Sequence, residues 1–164
     1  MPVTGADLVA KNIAKFGDRF LSEVNKDMEK ARNILDKAVY RNISIQDHTL
    51  SDLAGLGHPY ARRAPQTIHD PAYQVHVQSG ELRDNKYSGT EQASIRGGKL
   101  MAQAFVGINE RVRHAFYVVY GTSKMIPRDF LIGSLSEVRD QIYKTLKGSL
   151  GQAVVSFNGE TQRL

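Results

Sequence analysis

The stretch from residue 6 to about residue 40 constrains this chain most. Val9, Ile13, Phe16, Phe20, Val24, Met28, Ala31, Leu35 and Ala38 step by three and four, and Lys, Asp, Glu, Arg and Asn fill the positions between them. That period predicts one amphipathic helix, with Thr4 placed to cap its start. At 1.5 Å per residue such a helix runs roughly 50 Å, long for one small domain. Three arrangements satisfy the apolar stripe: a kink near Gly17, cover from another subunit, or cover wholly from the same chain.

The chain has 164 residues, 41% hydrophobic and 24% charged, enough for one domain with a core of its own. No apolar run reaches the roughly 18 residues that a membrane-spanning helix needs. The opening MPVTGADLVAKN has neither a basic n-region nor a long apolar h-region, so no secretory signal is expected. Cysteine is absent, which excludes disulfides, thiolate metal sites and a cysteine nucleophile. A net charge of +5 leaves open non-specific attraction to nucleic acid beside the plainer reading of a soluble protein with a modest basic bias.

Beyond the first helix, TLSDLAGLG (49–57) reads as a short helix capped through Thr49 and Asp52 and ended by Gly55 and Gly57. Residues 57–79 carry three prolines and read mostly as loop, with YQVHVQS at its close entering a strand. Turn and strand are expected over SGELRD (79–84), and hairpin ends with a mobile loop over KYSGTEQASIRGGKL. KLMAQAFVGIN (99–109) alternates, with Leu100, Ala102, Ala104, Val106 and Ile108 on one face. HAFYVVYGT (114–122) reads as a second strand and residues 129–148 as a helix stopped by Gly148. GQAVVSFNGE reads as a short terminal strand turning at Asn158-Gly159. The expected fold class is α+β: a long N-terminal helix and a C-terminal helix packed on a small antiparallel β-sheet of three or so strands, with long loops.

Tests for chemistry give little. Three of the five histidines, His58, His69 and His76, fall with Asp70 within 19 residues, but their spacing matches no compact ligand pattern, and no metal is expected. IRGGKL lacks the strand–loop–helix frame of a phosphate cradle and reads as a hairpin loop. Neither a nucleophile elbow nor a carboxylate pair for acid–base work is present. HPYARRAP sets Tyr60 beside Arg62 and Arg63, a partial match to a nucleic-acid contact and equally a surface loop between subunits.

YVVYGTSKMIPRDFL (117–131) reads as a corner between a strand and a helix. Gly121 permits a backbone angle other residues avoid, Thr122 holds the turn by local bonds, Pro127 stiffens the chain, Asp129 caps the helix, and Phe130 and Leu131 pin its start to the sheet. Four pieces occur in order: Ser79-Gly80-Glu81-Leu82, Val106-Gly107-Ile108, Tyr117-Val118-Val119-Tyr120-Gly121-Thr122 and Pro127-Arg128-Asp129-Phe130-Leu131. With the long N-terminal helix, and with GLGHPYARRAPQTIHDPAYQVHVQSGEL between, they make residues 5–147 resemble the tail-completion (neck, head–tail joining) proteins of tailed bacteriophages. The chain differs from the family pattern in having Val119 where an acidic residue stands and in joining Pro127 directly to Arg128.

That resemblance implies a single neck domain over 1–164, with a core of about 5–147 and a 148–164 extension that meets a neighbour or a partner ring. It implies a structural virion protein without catalysis or cofactor, assembled in the host cytoplasm into a homo-oligomeric ring, six subunits favoured and twelve the alternative. Its partners would be the head connector or adaptor and the tail terminator, tail-tube or sheath proteins, and DNA would pass its channel without sequence specificity. Ring closure needs two different patches per subunit. The expected interface residues are His58, Tyr60, Arg62, Arg63 and His69 in the long loop, with Gly121, Thr122, Lys124, Pro127, Arg128 and Phe130 in the corner. Arg96 and Lys99 are the candidates to line the DNA channel. The competing readings are a small basic nucleic-acid-binding protein and an enzyme using His58, His69, Asp70 and His76.

Overall fold

The computed structural model describes residues 5–46, 49–55, 73–97 and 99–161. The order is α1 (Gly5–Asn42), α2 (Leu50–Gly55), α3 (Glu81–Asp84), β1 (Lys86–Arg96), β2 (Lys99–Ile108), α4 (Arg113–Tyr120) and α5 (Phe130–Thr161). β1 and β2 form a two-stranded antiparallel ribbon, so the α+β class holds. The chain divides into two compact units. One comprises Met1–Arg32, Gly89–Ala104 and Asp140–Leu164, the other Asn33–Ser88 and Phe105–Arg139.

In the first unit the apolar stripe of α1 buries Val24 and Ala31, and Phe16 stacks on Phe20 with ring centroids 6.0 Å apart. The exposed faces carry ion pairs three residues apart, Glu23–Lys26 and Glu29–Arg32, which solvent largely screens. β1 is fastened to α1 by polar contacts. Asn25 Oδ1 accepts from the Ala93 amide at 2.7 Å, and the Thr90 hydroxyl bonds Glu29. Those contacts explain why polar KYSGTEQASIR is strand and not mobile loop. Ala93 is its one buried residue, and pairing with β2 satisfies its backbone. Gly97, at φ +56°, supplies the left-handed turn of the expected hairpin.

The second unit holds the larger core: Val39, Ile43, Val75, Leu82, Val112 and Phe130, with Leu35, Val106, Ile108, Ala115, Val118, Val119 and Leu131 packed against it. α1 enters it through Leu35, Val39 and Ile43, still at the three-four step read from the sequence. α2 opens with the expected cap. Thr49 Oγ1 accepts from the Asp52 amide at 3.1 Å, and Asp52 accepts from the Thr49 amide at 3.1 Å.

Four further expectations are corrected. HAFYVVY is helix: Ala115, Val118 and Val119 repeat at three and four toward the core, while Phe116, Tyr117 and Tyr120 face outward. Packing of that short, partly buried stripe against the core overrides the strand propensity of its aromatic and β-branched residues. Residues 81–84 form one helical turn, and Leu82 is buried beneath it. YQVHVQS makes only a single parallel bridge, His76 with Ile45. Finally, α5 passes through Gly148, Gly151 and Asn158-Gly159 to Thr161, where a stop and a terminal strand were expected. Glycine there lowers helix propensity by ~1 kcal/mol without barring the conformation. The sheet therefore has two strands.

Candidate interface site

The Gly-Thr corner is an irregular segment of the second unit held by local hydrogen bonds. α4 ends where the Gly121 amide bonds the Tyr117 carbonyl at 2.9 Å, and Gly121 itself sits at φ +72°. A β-carbon at that position would lie 2.8 Å from the Met125 carbonyl and 2.9 Å from the Pro127 nitrogen. The Thr122 hydroxyl accepts from the Lys124 and Met125 amides, both at 3.1 Å, and the Thr122 amide returns a bond to the Met125 carbonyl at 3.0 Å. Asp129 Oδ1 then accepts from the Ile132 amide at 2.9 Å, capping α5. The backbone roles read from the sequence for Gly121, Thr122 and Asp129 are all present, although the element before them is a helix.

The corner's side chains divide sharply. Lys124 and Pro127 are exposed, Gly121 and Thr122 half-buried, and Met125 buried. Phe130 is 0% and Arg128 4% exposed, so both side chains are enclosed within their own unit. The Arg128 amide bonds the Val118 carbonyl at 2.8 Å, which holds this residue against the end of α4. Burial pulls its guanidinium below the ordinary arginine value.

Arg128 lines a cavity of about 90 Å³ together with His76, Gly80, Glu81, Arg83 and His114. His76 is buried and bonds the Val77 carbonyl through Nδ1 at 2.7 Å. At the rim, Glu81 pairs with His114 at 3.4 Å and Asp84 with Arg83 at 2.8 Å.

No protein-family model, curated protein or solved structure matches this chain.

Outside the corner, α4 carries an exposed aromatic face. Phe116 and Tyr120 lie with centroids 4.6 Å apart, and Phe116 meets Tyr117 edge-on at 6.0 Å. In the first unit, Ile95, Leu100 and Met101 are exposed around the ribbon turn, between which Arg96 and Lys99 also stand exposed. From Gln92 to Asn109 the sequence contains no acidic residue, so the turn is basic.

A second polar cluster went unread in the sequence. Glu137 on α5 accepts from Asn42 at 3.0 Å, from Tyr73 at 3.4 Å and from Arg41, and Asn42 also bonds Ser134 at 2.9 Å. The Asn42 bond, ahead of the Arg41 charge, holds the Glu137 carboxyl below its ordinary value. Burial first, then Glu137, pushes the Tyr73 hydroxyl up. Gly133 was the available signal: a glycine within a helix marks a close approach, and Tyr73 makes it.

His58, Tyr60, Arg62, Arg63, His69 and Asp70 lie outside the described residues. Among the described residues no three His, Asp or Glu side chains group to hold a metal ion, and no helix is long and apolar enough to cross a membrane.

Proposed function

We propose that this chain is a structural virion protein that assembles into a ring at the head–tail junction of a tailed phage, joining the capsid connector to the tail around a DNA channel. The observation that carries this reading is the outward face of α4, where Phe116 is 61% and Tyr120 68% exposed beside Tyr117. Three adjoining exposed aromatics are costly to leave in water and are the residue types enriched where proteins meet. They stand directly before the Gly-Thr corner, within the sequence pattern that resembles neck proteins. A closed ring requires two unlike patches on each subunit. Exposed Ile95, Leu100 and Met101 on a different element supply a second apolar set.

A second reading, a small basic nucleic-acid-binding protein, draws on exposed Arg96 and Lys99 at the acid-free ribbon turn. Two experiments separate the readings. The neck reading expects the protein in purified tailed particles, and weak binding of free chain to duplex DNA at physiological salt. Tight DNA binding that falls steeply with salt, with no presence in particles, supports the alternative and removes the neck reading.

A further inference from the structure

We propose that the cavity beside Arg128 is a binding site for a single carboxylate group. An arginine side chain stays protonated in a protein, so burial cannot be relieved by neutralising it. Arg128 is 96% buried, and among the described residues its Nη2 has no hydrogen-bond partner. Burying a cation unpaired is costly, and buried charges are ordinarily matched by an acceptor.

The described acids at the rim have other partners. Glu81 pairs with His114 and Asp84 with Arg83, both at the partly exposed rim. Among the described residues neither acid bonds Arg128, whose Nη2 is left without an acceptor, and its backbone bond to Val118 holds the residue there. A space of about 90 Å³ accommodates a few waters or one small anion. The shape of a guanidinium fork matches a planar carboxylate, which it binds by two parallel hydrogen bonds. Glu81 in the lining disfavours a phosphate dianion over a monoanion. The site is thus small, monoanionic and planar in its preference. Its occupant is either a free small carboxylate or an Asp or Glu side chain of a neighbouring copy. The inference stands apart from the ring reading, because it needs only this cavity.

The test uses the intact chain. Thermal unfolding is followed in sodium formate, acetate, phosphate and chloride at matched ionic strength, for wild type and Arg128→Met. Sedimentation of the same samples distinguishes the two sources. A free carboxylate ligand raises the wild-type Tm by about 3–6 °C at ten times its dissociation constant, above chloride and phosphate, without changing sedimentation. A neighbour's carboxylate shows instead as wild-type oligomers that formate dissociates and that Arg128→Met lacks. Should the variant fail to fold, ¹⁵N spectra of wild type titrated with formate replace it. Saturable shifts confined to Val77–Leu82, His114 and Val118 are expected. The proposal is overturned if formate acts no differently from chloride on Tm, sedimentation and spectra, or if the variant responds to formate as wild type does.

Discussion

The ring of Tyr73 occupies the space that a β-carbon on Gly133 would need. This contact docks the chain before His76 onto the first turns of α5, and the Tyr73 hydroxyl reaches on to Glu137. A glycine near the start of a helix that looks unfavourable alone is explained by its partner sixty residues away.

Gly133→Ala therefore behaves against helix propensity. In an open helix the change gains ~1 kcal/mol. Here the methyl collides with the tyrosine ring, and overpacking of this kind costs about 1–3 kcal/mol. Urea unfolding is expected to show a lower midpoint for Gly133→Ala, and Tyr73→Ala in the same background is expected to recover part of it.

Gly121→Ala meets both a positive φ and backbone atoms within 3 Å. The expected loss is about 1–3 kcal/mol, seen as a lower denaturant midpoint with unchanged helix content by circular dichroism. Equal stability of the two proteins would contradict the corner's geometry.

How much of this was legible in the sequence follows from what each residue contacts. The first helix, the Thr49–Asp52 cap, the second strand and the Gly121-Thr122 turn were legible because period, local bonds and turn chemistry act within a few residues. Phe116 to Tyr120 misled, since aromatic and β-branched residues suit a strand as well as a helix that packs three half-buried residues on a core. β1 was hidden because its anchors, Asn25 and Glu29, lie some sixty residues earlier. Likewise Glu137 gave no local hint of Asn42 and Tyr73, nor Arg128 of its burial.

Acid sensitivity should trace to Glu137. Its folded pKa is depressed by Asn42 and Arg41, so the stability it contributes is present above the ordinary value of 4.5 and is lost as pH falls through the folded value. Glu137→Gln is expected to lower Tm at pH 7 and to flatten the fall of Tm below pH 4.5. Parallel wild-type and variant profiles throughout the acid limb would remove Glu137 from this role.

Phe130→Ala removes the most deeply buried large side chain of the second unit. A cost of about 3–5 kcal/mol is expected, against less than ~0.5 kcal/mol for exposed Lys124→Ala. Chemical denaturation of the pair measures both.

The central claim is that the aromatic face of α4 joins copies of this chain into a ring. Sedimentation velocity of wild type and of Phe116→Ser/Tyr120→Ser at micromolar concentration tests it most directly. For an 18.3 kDa chain, closed assemblies of about 110 kDa or about 220 kDa correspond to six or twelve copies. The account predicts one of these species for wild type and a folded monomer for the double variant. A wild type that remains monomeric at every concentration, or a double variant that assembles as wild type does, would contradict it.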